Sequence, residues 1–246
     1  MPRTTLTRRQ QKTIEAAVSH FQDSHDRFAE LLDILRIHIT GSAALKALIH
    51  SVKYRVKDPD HLRQKLIRQA LEARRRGKEF SISKANLFTR INDLAGFRIL
   101  HLHTRQFADI NRALLDLFQQ QRYNLLEGPT ARTWDDESRE YFRTIGVKTQ
   151  VSPSMYTSVH YVIEANSQKK YTCEVQVRTL AEELWGEVDH TLNYPTQTDS
   201  VSCREQIKVL ARVTSSCTRL VDAIFTSHAS PLAVPPSSKR RTTRRR

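Results

Sequence analysis

The chain has 246 residues, with 40 Lys+Arg against 26 Asp+Glu and a formal net charge of +14. The length suits one ordinary domain with extensions, or two very small ones; 39% hydrophobic and 27% charged residues, with a mean hydropathy of −0.55, read as a soluble globular chain without a membrane span. Three cysteines, Cys173, Cys203 and Cys217, follow no C-x-x-C spacing, which excludes a disulfide scaffold or a zinc finger and suits a reducing, cytoplasmic compartment.

The first twenty residues carry early arginines but no apolar run, so they do not read as a signal peptide. Six of the last eight residues are cationic, Lys239, Arg240, Arg241, Arg244, Arg245 and Arg246; taking those six from +14 leaves +8. The body is therefore basic in its own right. Nucleotides, nucleic acid or other polyanions are its natural partners, unless the charge serves no specific anion.

From Thr7 to about Arg36, Ile14, Val18, Phe21, Phe28, Leu31, Leu32 and Leu35 recur at helical spacing, with a break expected near Asp23–Ser24. Gly41–Ser42 breaks the pattern, and Ala43 to His50 predicts a short helix. Ser51 to Arg55 reads as extended. Asp58-Pro59 opens a helix to about Arg76, since Asp caps and Pro suits a first turn, and Gly77 stops it. Ser83 to Asn92 predicts a short helix with Leu87, Phe88 and Ile91 inward. Gly96 to Leu102 alternates as a strand, and Phe107 to Arg122 is an amphipathic helix. Tyr123 to Glu127 predicts a brief strand ended by Gly128-Pro129, and polar Thr130 to Glu140 a loop. Val147 to Val151, Ser158 to Glu164 and Tyr171 to Arg178 read as strands. Thr179 to Asn193 predicts a helix with Leu180, Leu184, Val188 and Leu192 on its apolar stripe, ended by Pro195. Arg204 to about Ser227 predicts one more helix, and the Pro/Ser/Arg-rich end reads as disordered.

Four segments place polar groups where chemistry could use them. Arg55 and Lys57 share a face of an extended stretch, with His61 and Lys65 on the next helix; such cations at a helix start suit a phosphate chain, or form only a solvated basic face. Asp93 precedes Gly96, which is expected to let the chain bend; it is a candidate Mg²⁺ ligand, or the cap of a turn. Period two puts Tyr156, Ser158 and His160 together, either to stack a base and hold phosphate or ribose, or to face solvent. Glu174, Gln176 and Arg178 project opposite to Val175 and Val177, which is costly on a central strand unless they meet a ligand. His190, Glu183 and Glu187 on the following helix are candidate supports. Carboxylates Asp93 and Glu174 among cations point to Mg²⁺-dependent nucleotide transfer. Walker A, G-x-G-x-x-G and G-x-S-x-G patterns are absent.

The segments YRVKDPDHLRQKL, DLAGFRIL, YTSVHY and EVQVRTLAEELWGEVDHTLNYP, in that order, resemble the synthetase domain of the RelA/SpoT family of alarmone (p)ppGpp synthetases. The resemblance covers roughly residues 50 to 195. It implies an α/β (α+β) fold, nucleotidyltransferase-like, with a mixed sheet flanked by helices. The implied organisation is an N-terminal helical extension over 1–44, the synthetase domain over 45–195, a C-terminal helix over 196–228 and a basic tail over 229–246. The implied activity moves the β,γ-pyrophosphate of ATP to the 3′-hydroxyl of GDP or GTP and releases AMP. By position, Arg55 and Arg98 resemble the pair that sandwiches adenine, Lys57 and Lys65 the ATP-phosphate contacts, and Asp93 and Glu174 the Mg²⁺ ligands. Glu174 would also help activate the acceptor hydroxyl. Tyr156 resembles the aromatic that stacks the acceptor base; Ser158, His160, Gln176 and Arg178 are expected at the acceptor. Ser152-Pro153-Ser154-Met155 stands where the family commonly has Lys-Pro-Asn-Gly, which leaves open a tRNA 3′ end or an adenosine nucleotide as acceptor, or a degenerate RNA-binding relative. Fewer than fifty residues precede the matched region, so no HD-type hydrolase domain is expected. A homo-oligomer is compatible with the family.

Overall fold

A computed structural model describes residues 5–167, 170–193 and 197–229. The expected end of a helix at Pro195 and the basic tail lie outside the described residues. The chain begins with α1 (Arg8–Gln22), α2 (His25–Gly41) and α3 (Ala43–Leu48), followed by β1 (Ser51–Val56), α4 (Pro59–Arg75), α5 (Leu87–Arg90) and β2 (Ala95–His101). Then come α6 (Phe107–Gln120), β3 (Asn124–Thr133), α7 (Asp136–Thr144), β4 (Lys148–Val151), β5 (Ser158–Glu164), β6 (Thr172–Thr179), α8 (Leu180–Asn193) and α9 (Val201–Ala229). The six strands form one mixed sheet in the order β1-β2-β6-β5-β3-β4. β2–β6 and β3–β4 are parallel pairs, and the others are antiparallel.

Local chemistry sets the boundaries. The Thr7 hydroxyl accepts from the Gln10 amide while the Gln10 side chain accepts from the Thr7 amide, a reciprocal cap that starts α1. The Asp58 carboxylate accepts from the Asp60 and His61 amides and starts α4. β5 and β6 are central strands with apolar side chains on the helix-covered face. Phe21, Phe28, Leu35, Leu62, Phe97, Phe107, Leu114, Tyr161 and Val175, all 0–1% exposed, belong to one continuous core. Each such side chain contributes about 1.5–3 kcal/mol by leaving water.

Four expectations are corrected. The strand begun at Asn124 does not end at Gly128-Pro129: β3 continues to Thr133, shifting register between Leu125 and Thr130. A Cβ on Gly128, where φ is +96°, would lie 2.3 Å from the His160 carbonyl oxygen, so this crossing requires glycine. The polar stretch after it is not a loop but β3 and α7, whose Asp135 caps the helix by accepting from the Ser138 amide. The helix expected over Ser83–Asn92 shrinks to α5. On α8 the leucine stripe is not the buried face: Leu184 is 59% exposed, whereas Glu182, Glu183 and Trp185 are buried.

Candidate active site

The strand register aligns polar residues across the middle of the sheet. Lys53 of β1 lies opposite Arg98 of β2, Arg98 beside Gln176 of β6, Gln176 opposite His160 of β5, and His160 opposite Thr130 of β3. Paired residues share a face, so these five form one transverse row. Arg55, Gly96 and Glu174 form the adjacent row. Gly96 lies inside β2, and its Cβ position is uncrowded. It does not make the tight turn expected of it; its lack of a side chain leaves the floor open between Arg55 and Glu174.

Two cavities meet over these rows. The first, about 520 Å³, is lined by Lys53, Tyr54, Arg55, Lys57, Phe97, Arg98 and Glu187. The second, about 510 Å³, is lined by Lys65, Asn92, Glu127, Gly128, Thr130, Arg132, Gln150, Tyr156 and His160. Asp93, Glu174 and Gln176 line both. Each volume is in the range of small-ligand sites.

The shared carboxylates are held in place from every side. Asp93 accepts from Lys57 Nζ at 3.0 Å and Lys65 Nζ at 2.7 Å. Burial pushes its pKa up, but the two lysines outweigh burial and hold it below the ordinary value. Glu174 Oε1 lies 2.9 Å from His160 Nδ1, and Oε2 accepts from Gln176 Nε2 at 2.9 Å. Burial again opposes ionisation, and the His160 and Gln176 hydrogen bonds leave Glu174 below its ordinary value. His160 is lowered, chiefly by burial, so the neutral ring donates from Nδ1 to Glu174. Its Nε2 then accepts from the Tyr156 hydroxyl at 2.9 Å, consistent with burial raising the Tyr156 pKa.

Behind this chain sits Arg178, 5% exposed. It donates to Gln176 Oε1 at 2.5 Å, pairs with Glu183 at 3.3 Å and lies 5.1 Å from the Tyr156 ring centroid. A Cβ on Gly186 would approach its Nη1 to 2.7 Å, so a side chain there would push the guanidinium aside. The wall of the first cavity is a second ionic group. Glu183 binds Lys53 at 2.9 Å and Arg98 at 3.2 Å, and Arg98 also reaches Glu187 at 2.7 Å.

Most of the sequence-derived candidates therefore converge. Arg55, Lys57 and Arg98 line the first cavity, Tyr156 and His160 the second, and Asp93, Glu174 and Gln176 both. Lys65, grouped with Lys57 from the sequence, lines the second cavity instead. Ser158 and Arg178, both expected at the acceptor, lie outside both. Ser158 is 1% exposed and donates to the Val177 carbonyl, so its hydroxyl is used by the sheet. Arg178 supports Gln176 and Tyr156 from beneath. His61 lines neither cavity, and half-buried His190 has its pKa lowered by burial and by the charge of Arg55. Lys53, Asn92, Glu127, Thr130, Arg132 and Gln150 were missed. Lys53 was within reach of the period-two reading that found Arg55; Thr130 and Arg132 were hidden by reading their strand as a loop.

Among the described residues no group of three or more His, Cys, Asp or Glu side chains could hold a metal. Two hard carboxylates still fit Mg²⁺, which commonly takes one or two protein oxygens and completes its shell with phosphate and water.

The mixed sheet thus carries two adjoining polar cavities over one carboxylate pair. The family described as "Region found in RelA / SpoT proteins" matches residues 54–199, and the chain belongs to that family. The small alarmone synthetase 1 from Bacillus subtilis, solved bound to its product pppGpp, is similar over 86% of this chain and 98% of its own, at 21% identity and a TM-score of 0.59. The smu.1046c protein from Streptococcus mutans is similar over 83% and 91%, at 21% identity and 0.57. A GTP pyrophosphokinase family protein from Streptococcus pneumoniae is similar over 82% and 89%, at 20% identity and 0.54. These likenesses establish the shared fold. No curated protein matches the chain.

Proposed function

We propose that the protein is an ATP-dependent pyrophosphokinase that transfers the β,γ-pyrophosphate of ATP to the 3′-hydroxyl of GDP or GTP and releases AMP. The observation that carries this reading is the meeting of two nucleotide-sized cavities at Asp93 and Glu174. The first cavity takes ATP: Arg55 and Arg98 offer cationic planes to the adenine and Lys57 a charge to the phosphates. The second takes the acceptor, with its base on Tyr156 and its phosphates toward Lys65 and Arg132. The solved relatives bound to pppGpp and to AMPCPP support nucleotides in such a fold.

In the transfer, the acceptor 3′-oxygen bonds to the β-phosphorus, the bond from that phosphorus to the α,β-bridging oxygen breaks, and AMP leaves. Ionised Glu174 receives the hydroxyl proton, while neutral His160 and Gln176 hold its carboxylate in line. Mg²⁺, when bound, would be held by Asp93 and Glu174 and would neutralise phosphate charge. Lys57 and Lys65, now on Asp93, would turn toward the incoming phosphates.

A polynucleotide 3′ end is the second reading of the acceptor. It is favoured by exposed Arg68 and Arg75, which follow Lys65 along α4, and by the +8 body. The test is transfer of label from γ-labelled ATP in parallel incubations with GDP, GTP, ADP and tRNA. Label on GDP or GTP is the expected result; label on tRNA alone establishes the second reading, and no label on any acceptor overturns both.

A further inference from the structure

Among the described residues, two that are not glycine have a positive φ. Arg122, at +57°, follows the end of α6, where the Tyr123 amide donates back to the Phe118 carbonyl and closes the helix in the ordinary way. Met155, at +52°, closes no helix. It lies between the turn at Pro153–Ser154 and β5, directly before Tyr156. A long apolar side chain disfavours that backbone, so its surroundings must hold it there.

Two sets of contacts do so. The ends of the loop meet at Thr133: the Ser152 amide donates to the Thr133 carbonyl at 3.1 Å, and the Thr133 and Thr157 hydroxyls lie 2.9 Å apart. Between these ends, Met155 and Tyr156 pack with Trp134 against a small apolar cluster of Trp185, Ile207 and Ala211, separate from the main core. Trp185 is 3% exposed, and its Nε1 donates to the Ile207 carbonyl at 3.0 Å, which fastens the cluster to α9. The Tyr156 ring lies 6.5 Å from Trp185, while its hydroxyl is held by His160. Tyr156 lines the second cavity; Met155 lines neither.

We propose that Met155 is a positioning residue for the acceptor. Its side chain, packed into the tryptophan cluster, fixes the left-handed step before Tyr156 and presents that ring to the second cavity as a ready stacking platform. The unbranched, polarisable thioether suits a gap among aromatic rings. Acceptor binding then loses no free energy to ordering the ring. The inference rests on the reading of the second cavity as the acceptor site. The donor groups Arg55, Lys57 and Arg98 come from β1, β2 and the segment after β1, and none of them belongs to this cluster.

Two substitutions separate side chain from backbone. Met155→Gly accepts φ +52° without strain but removes the packing, whereas Met155→Leu keeps the bulk. At saturating ATP, Met155→Gly is expected to raise the GDP requirement roughly tenfold, with kcat and the ATP requirement within about twofold of the parent. Met155→Leu should restore the GDP requirement to within about twofold of the parent. The chain's two tryptophans, Trp134 and Trp185, both belong to this cluster, so intrinsic emission reads the packing without turnover. It should move to longer wavelength in Met155→Gly and stay in place in Met155→Leu. A GDP requirement unchanged by Met155→Gly, whatever happens to its thermal midpoint, makes Met155 merely structural and overturns the proposal. A leucine variant as impaired as the glycine one, or emission unmoved by Met155→Gly, also overturns it. Unaltered protein that transfers nothing to GDP removes the acceptor reading itself, and the proposal falls with it.

Discussion

Asp93 and Glu174 have both carboxylate oxygens engaged by neighbouring side chains, and the two residues are shared by both cavities. Asp93→Asn and Glu174→Gln keep side-chain volume and remove only charge. Each is expected to slow transfer about a thousandfold, corresponding to ~4 kcal/mol of transition-state stabilisation. Thermal unfolding should shift by a few degrees at most. Single-turnover rates check this, and near-wild-type rates in both variants would remove the pair from the chemistry. These residues were legible in the sequence because each stands among cations or alternating polar positions on a strand. Lys53 was not singled out although it shares the face of Arg55, and its role emerges only once β1 is paired with β2 and Glu183 lies within 2.9 Å. Ser158 obeyed the period and still missed the cavity, since periodicity assigns a face and cannot say whether the backbone claims the hydroxyl.

Elements were legible where a capping residue or the apolar spacing was clear, as at α4 and at α1 and α6, and illegible where one signal had two meanings. Gly128-Pro129 normally ends a strand, but here β3 absorbs it with a shifted register. The acidic run after it looked like a solvated loop; its first member, Asp135, is the cap of α7. That residue also ties α9 to the domain: Asp135 Oδ2 accepts from Ser215 Oγ at 2.8 Å and from Arg219 Nη1 at 2.9 Å. Burial pushes the Asp135 pKa up, but the bonds from the Ser138 amide, then Ser215 and Arg219, hold it below its ordinary value. Asp135→Ala removes a helix cap and leaves the buried Ser215 hydroxyl unpaired, a loss of about 2–3 kcal/mol. Urea unfolding should show it as a lower midpoint with an unchanged slope, and Ser215→Ala should cost about 1 kcal/mol. A midpoint unmoved by Asp135→Ala would mean that α9 is held by its apolar contacts alone. On α8, two turned-in glutamates outweighed the leucine stripe, because Glu183 meets Lys53, Arg98 and Arg178. No hydrophobic pattern reports such ionic burial.

At the scale of the whole molecule, buried ionisable groups tie stability to pH. Burial raises Glu182 to about 7, against the opposing effects of the Thr157 amide and Arg178. A carboxyl whose folded value is raised stabilises the protein fully below its unfolded value, and that stability is lost as pH rises through about 7. His101 acts on the other side: burial lowers it to about 4, so charging it costs stability as pH falls from about 6.5 toward 4. Stability is therefore expected to peak between the two, on the mildly acidic side of neutrality. Glu182→Gln should flatten the alkaline side and make the variant more stable than the parent at pH 8 by up to about 3 kcal/mol. Thermal midpoints from pH 5 to 8 check this; equal slopes in the two proteins would show that Glu182 ionises freely in the fold.

The central claim is that two nucleotides occupy separate cavities that meet at one carboxylate pair, and a crossed pair of substitutions tests it most directly. Arg55→Ala and Tyr156→Ala are each titrated with ATP at saturating acceptor and with acceptor at saturating ATP. The account predicts that Arg55→Ala raises the ATP requirement and spares the acceptor. Tyr156→Ala should do the reverse, by roughly five- to a hundredfold for the loss of a stacked base. If Tyr156→Ala instead raises the ATP requirement and leaves the acceptor untouched, or if both variants weaken both substrates alike, the division of the site into donor and acceptor cavities is wrong.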